Sequence, residues 1–253
     1  MNRITSIFEQ DKKVLSIYFT AGYPNLDDTK TILEKLEQSG VDMVEIGLPF
    51  SDPLADGPTI QASSTAALAN GMTTNLLFDQ LENIRETVKM PLLLMGYLNP
   101  ILQFGFEAFC EKCQLVGIDG LIIPDLPLDD YTENYQSLFE KHHLFPVFLV
   151  TPQTSEARIR YIDSISKGFI YLVSSAGVTG NQQDLSEPTL NYFGTTSKMQ
   201  LRNPLIAGFG ISNKVTYLQA VAHTNGAIIG SAFIKNLMNE GVSGISSFIQ
   251  SIR

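Results

Sequence analysis

Long apolar runs, blocks of basic residues and clusters of metal-ligating side chains are all missing from this 253-residue chain. No hydrophobic stretch approaches the roughly 20 residues that a membrane-spanning helix requires. Residues 1–13 mix acidic and basic side chains without an apolar core of signal-peptide length, so a cytoplasmic location is expected. Lys and Arg total 17 against 26 Asp and Glu, giving a formal net charge of -9 and a pI near 4.8. A surface of that sign repels a polyphosphate backbone and argues against nucleic acid as a partner.

The few residues that ordinarily carry redox or metal chemistry are poorly placed for either. The two cysteines, Cys110 and Cys113, form a C-x-x-C, but they share one predicted helical face with Phe106 and Phe109. A redox pair belongs at a helix N-terminus, where the dipole lowers the thiol pKa, and a zinc site needs further ligands; core packing is the expectation. The three histidines, His142, His143 and His223, fall near predicted helix C-termini and form no metal cluster. No lysine lies within a predicted strand or at its C-terminal end, which leaves a Schiff-base mechanism without a nucleophile.

What is present is regular. At 44% hydrophobic and without a linker-like stretch, the chain reads as one domain over residues 1–253. Short apolar or β-branched runs recur at 15–21, 43–47, 92–97, 120–125, 145–151, 169–174, 204–209 and 226–231. Segments of helical period separate most of them, among them 27–38, 75–88, 106–116, 130–142, 155–166 and 212–222. Strand-helix alternation implies a parallel sheet, and about eight units in this length fit a closed α/β barrel, the (β/α)8 or TIM barrel, better than an open sheet. Residues 2–10 are expected to add an N-terminal helix whose Ile4, Ile7 and Phe8 cover the barrel floor.

Such a barrel concentrates its chemistry in the loops that follow the strands. On that side lies the most informative segment, V-E-I-G-L-P-F-S-D-P-L-A-D-G-P-T-I-Q at 44–61. Glu45 interrupts an apolar strand, and an ionised, unpaired carboxylate there costs several kcal/mol. Burial raises a carboxyl pKa and suits the group to proton transfer near neutral pH; a structural salt bridge is the competing account. Asp52 and Asp56 offer a second acid on the loop, and a second long loop follows residue 176.

Three glycine-bearing turns fall in the last third of the chain: A-G-V-T-G at 176–180, G-F-G-I-S at 208–212 and G-S-A at 230–232. Glycine before a helix lets an anion approach free backbone N-H groups, and barrels often hold phosphate after their seventh and eighth strands. Purely structural glycines are the alternative. Ser212 and Ser231 can add hydroxyl donors or simply cap helices. Leu48, Phe50, Met95, Ile122, Leu149 and Phe209 near the rim suit either a pocket for a planar ring or core packing. The residues therefore favour acid-base chemistry by carboxylates, with Tyr18, Tyr97 or Tyr171 assisting, on a small phosphorylated substrate.

With those motifs in order, together with L-L-L-M-G-Y at 92–97, P-D-L-P at 124–127, Y-L-V-S-S at 171–175 and G-S-A-F-I-K at 230–235, the chain resembles the tryptophan synthase alpha family over essentially its whole length. The resemblance implies a lyase of tryptophan and aromatic amino-acid biosynthesis that cleaves indole-3-glycerol phosphate by a retro-aldol reaction. It implies Glu45 as proton donor and acceptor and Asp56 as the partner of the indole N-H. Tyr18, Tyr97, Ile122, Tyr171 and Phe209 would contact substrate, and Thr179 would also tie a closed loop to Asp56. Gly180, Gly210, Gly230 and Ser231 would hold phosphate. No metal or cofactor of its own is implied, because indole passes to a pyridoxal-phosphate beta subunit in an α2β2 heterotetramer, contacted through residues 52–55 and the loop around Gly180. Two positions depart from some members: Tyr18 replaces a phenylalanine and Ser175 an arginine. A sugar-phosphate isomerase or epimerase on the same scaffold, and a non-catalytic activator of a second protein, are the competing functions.

Overall fold

The computed structural model describes residues 2–10, 12–53, 56–174 and 184–253. Eight parallel strands close into a barrel in sequence order: β1 Val14–Thr20, β2 Met43–Gly47, β3 Leu92–Met95, β4 Gly120–Ile122, β5 Phe145–Val150, β6 Ile170–Val173, β7 Leu205–Gly208 and β8 Gly226–Ile229. β1 and β2 are buried along their whole length, as expected of strands covered on both faces.

The closing pair sets β1 against β8, with Val14 opposite Gly226. A Cβ on Gly226 would lie 2.5 Å from the Val14 carbonyl oxygen, so only glycine fits that seam. The N-terminal helix Arg3–Phe8 plugs the floor: Ile4 is fully buried near Gly120 and Gly168, and Phe8 meets Phe169 at 6.3 Å.

One polar device recurs at the floor. Asp42, just before β2, donates its N-H to the Leu15 carbonyl at 3.0 Å and accepts the Leu15 N-H on Oδ2 at 2.8 Å. Asp119 before β4 does the same with Leu92, at 2.8 and 2.9 Å, and Asn225 before β8 with Leu205, at 2.8 and 2.9 Å. Each side chain thus closes a two-bond clasp that fastens an even strand to the odd one before it. Cations complete the carboxylate clasps: Lys12 and Arg253 pair with Asp42, and Arg3 and Arg85 with Asp119.

The helices differ from the periodicity in two places. The segment 75–88 is not continuous: Thr74–Gln80 ends, Asn83 takes a left-handed φ of 59°, and a short 3-10 turn, Ile84–Glu86, follows. The segment 130–142 contains a π-helical turn, Tyr131–Tyr135, where Tyr135 stacks on Phe106 at 3.9 Å and Tyr131 is buried against Phe139 and Phe148. Helix Phe106–Val116 buries Phe106, Phe109, Cys110 and Cys113 together, and burial pushes the Cys110 thiol up to about 12, so both cysteines serve the core. No helix among the described residues is long and apolar enough to cross a membrane.

Arg85 and Asp119 are both largely removed from solvent, with side chains 16% and 4% exposed. Asp119→Ala is therefore expected to destabilise the barrel by roughly 3 kcal/mol, because it leaves the buried Arg85 charge with backbone carbonyls but no carboxylate and the Leu92 N-H without its acceptor. Urea denaturation followed by circular dichroism checks this; a loss below about 1 kcal/mol would show that the clasp is dispensable.

Candidate active site at the barrel mouth

Alternation along β2 turns Glu45 and Gly47 to the same face, and the register sets Glu45 beside Tyr18 of β1 and Leu93 of β3. Glu45 is fully buried. Its Oε1 has a long contact from the Ser16 hydroxyl at 3.5 Å, while Oε2 finds no hydrogen-bond partner among the described residues. Among the described residues no cation pairs with it, and the salt-bridge account finds no support there. Burial pushes its carboxyl up to about 8, with Ser16 opposing the rise.

Two glycines admit two tyrosines to this mouth. A Cβ on Gly47 would stand 2.1 Å from the Tyr18 hydroxyl, and one on Gly208 would stand 2.3 Å from the Tyr171 hydroxyl. Both rings are buried, and Tyr18 runs on past Gly230, whose Cβ position lies 3.4 Å from it. Burial, aided by Asp56 for Tyr18 and by Glu45 for Tyr171, holds both phenols far above their ordinary range and therefore neutral. Both glycines lie within segments the sequence marks, 44–61 and 208–212, but that each makes room for a tyrosine hydroxyl from the neighbouring strand emerges only from the folded structure.

Asp56 is the loop carboxylate that reaches the mouth. Tyr97 donates its hydroxyl to Asp56 Oδ2 at 3.0 Å, and Gln61 donates to the Asp56 carbonyl at 2.7 Å. Burial raises the Asp56 carboxyl and the Tyr97 bond lowers it. Asp52, by contrast, is exposed and accepts from the neighbouring Ser51 hydroxyl at 2.5 Å. Tyr18, Leu48, Asp56, Met95, Tyr97 and Pro124 line one cavity, and Phe50 meets Tyr97 at 5.2 Å. Ile122 is fully buried at the end of β4, and Phe209 meets Tyr171 at 6.3 Å with its rings at 70°.

The glycine turns open on the same end. Phe209 and Gly210 both take left-handed φ values, 66° and 75°, and the turn is fixed from β6 by Ser174, whose hydroxyl donates to the Phe209 carbonyl at 2.9 Å. Gly230, not Ser231, occupies the N-cap of helix Ser231–Glu240, so no side chain caps its first turn at that position and the exposed Ser231 lies at the helix start. Ser212 is not a cap either: Asn213 caps the next helix in a capping box with Thr216, and the Ser212 N-H is spent on the Thr216 hydroxyl at 3.0 Å. Capping therefore does not explain the two serines. Thr179 and Gly180 lie outside the described residues. Among the described residues no cluster of three or more His, Cys, Asp or Glu is placed to hold a metal ion.

Comparison with known proteins places this geometry. A sequence profile described as "Tryptophan synthase alpha chain" matches residues 4–250. The tryptophan synthase alpha chain of Flavobacterium psychrophilum is 66% identical over 252 residues and covers 100% of both chains; that of Flavobacterium johnsoniae is 63% identical over 253 residues. The crystal structure of tryptophan synthase subunit alpha from Legionella pneumophila superposes with a TM-score of 0.90 at 32% identity, covering 100% of this chain and 97% of that one. A crystal structure of tryptophan synthase from M. tuberculosis in an aminoacrylate-bound form gives a TM-score of 0.87 at 27% identity, covering 100% of this chain and 98% of that chain.

The raised carboxyl at Glu45 links stability to pH. Its folded pKa near 8 exceeds the ordinary 4.5, so between those values the folded state binds the extra proton, and stability is full at low pH and falls as pH rises through about 8. Glu45→Gln, which cannot ionise, is expected to remove that fall and to be more stable than the parent at alkaline pH, by an amount on the order of a few kcal/mol. Urea midpoints across the pH range test it, and parallel pH dependence in the two proteins would contradict a buried, unpaired carboxyl.

Proposed function

The chain belongs to the tryptophan synthase alpha chain family, and from that premise we propose how the groups at its barrel mouth divide the work. As a member it is a lyase that cleaves indole-3-glycerol phosphate to indole and glyceraldehyde 3-phosphate, and it acts in complex with a beta subunit. We infer an α2β2 stoichiometry, and a cytoplasmic location supported by the two unbonded thiols.

In this reading the phosphate seats at the turns of Gly210 and Gly230, against the open first turn of helix Ser231–Glu240, with the Ser231 hydroxyl as a further donor. The indole ring enters among Tyr18, Tyr97, Ile122, Tyr171 and Phe209. Glu45, protonated at neutral pH, delivers its proton to C3 of the ring, which moves positive charge to the indole nitrogen. The Asp56 carboxylate accepts the indole N-H and stabilises that cation. Glu45, now ionised, takes the proton of the side-chain hydroxyl; the oxygen electrons form the aldehyde, the bond to C3 breaks, and its electron pair restores the aromatic ring. Tyr97 favours the charged form of Asp56 by donating to it, against the rise that burial imposes, and the neutral phenols of Tyr18 and Tyr171 exclude water around Glu45. The observation that carries this reading is a fully buried Glu45 with one carboxyl oxygen unpartnered.

Glu45→Gln is expected to lower indole release by at least about 100-fold, with or without a beta subunit, while leaving the circular dichroism spectrum unchanged. Near wild-type turnover would refute the role. In the parent protein, kcat/KM should fall as pH rises through about 8, where Glu45 loses the proton it must give, and should fall on the acidic side as Asp56 protonates. A rate that climbs steadily through pH 8 would mean that Glu45 acts only as a base.

A further inference from the structure

Tyr97 is the group that reaches Asp56, and two bonds from the β4 side bracket it in the chain. The N-H of Gly96, one residue before, donates to the Ile122 carbonyl at 3.0 Å. The N-H of Leu98, one residue after, donates to Asp125 Oδ1 at 2.9 Å. Tyr97 itself is the N-cap of helix Leu98–Phe104, and its side chain makes no cap bond, so the cap arrives from a different loop. The first bracket is backbone and survives any substitution. The second is a single side chain on the segment that follows β4.

We propose that Asp125 is a positioning residue for Asp56, acting through Tyr97: by holding the Leu98 N-H it fixes the start of the helix and so aims the Tyr97 hydroxyl at Asp56 Oδ2. The proposal rests on the reading of Asp56 as the carboxylate that meets the indole nitrogen. Without Asp125, the Leu98 N-H loses its partner, the first turn frays, and the Tyr97 ring keeps only its contact with Phe50 and its other neighbours to orient it. The Asp56 carboxylate then loses the donor that favours its charged form. A loop that contributes no atom to the cavity through this side chain would thereby set the ionisation of the acid inside it.

The deciding measurement is the titration of the Asp56 carboxyl in the full chain, by carbon-13 NMR of aspartate-labelled protein, with Asp56→Asn identifying the signal. In Asp125→Ala the midpoint is expected to move to higher pH. In Asp125→Asn, whose amide oxygen can still accept the Leu98 N-H, it is expected to stay at the parent value. In a Tyr97→Phe background Asp125→Ala should move it no further. Turnover should follow, with kcat/KM reduced roughly tenfold to hundredfold in Asp125→Ala and its acidic limb displaced upward. An unmoved Asp56 midpoint in Asp125→Ala, or a shift that adds to that of Tyr97→Phe, would overturn the proposal. Failure of the catalytic reading has a separate signature, an Asp56→Asn protein that still releases indole at the parent rate; in that event a shifted Asp56 midpoint in Asp125→Ala would still establish the link from Asp125 to Asp56.

Discussion

Closure of the sheet is the constraint from which everything else follows. Eight short strands must return to their starting point, and the last gap is bridged by Val14 lying against Gly226, where a single added carbon would meet a carbonyl oxygen at 2.5 Å. Once the ring is closed, no strand edge is left open and every strand is covered on both faces. The interior then has two ends with different chemistry. The floor is plugged by Ile4 and fastened by paired carboxylates, whereas Glu45 at the mouth has no ion pair among the described residues.

That contrast explains how a carboxyl is kept neutral near pH 7 without destabilising its surroundings. Asp42 and Asp119 are almost as buried as Glu45, yet each has two cations and a backbone N-H. Among the described residues Glu45 has only the long Ser16 contact, so burial dominates and pushes its carboxyl up to about 8. The tyrosines sharpen the effect. By filling the space left by Gly47 and Gly208, they occupy with neutral rings a volume that water would otherwise take. Burial raises Asp56 as well, but the Tyr97 hydroxyl donates to it and opposes the rise, so the two acids on adjoining segments meet different hydrogen-bonding surroundings.

Much of this was legible in the chain. The strand-helix alternation gave the barrel, because parallel strands buried on both faces read as continuous apolar runs. Glu45 announced itself as a carboxylate flanked on both sides by the apolar residues of such a run, and the glycine turns after the seventh and eighth strands marked the anion end. What stayed hidden depends on partners distant in sequence. The clasps of Asp42, Asp119 and Asn225 require knowledge of which backbone N-H lies across the gap. Asp125 looks like an ordinary loop acid until Leu98 is found beside it. The breaks at Asn83 and at Tyr131–Tyr135 escaped the helical period because they are settled by tertiary packing, the latter by the Phe106–Tyr135 stack. Ser231 and Ser212 looked like caps, but a glycine and an asparagine hold those positions.

The clasps also bear on how such a protein can change over generations. All three lie at the upstream ends of strands, on the opposite end of the barrel from Glu45 and Asp56. A substitution in a mouth loop therefore leaves them untouched, and a lineage can vary the residues that meet substrate or partner while the anchorage stays in place. The same arrangement joins β1 to β2, β3 to β4 and β7 to β8 more firmly than their backbone ladders alone would. A loop that follows β2, β4 or β8 is therefore carried on a strand anchored at its far end by two bonds to its neighbour.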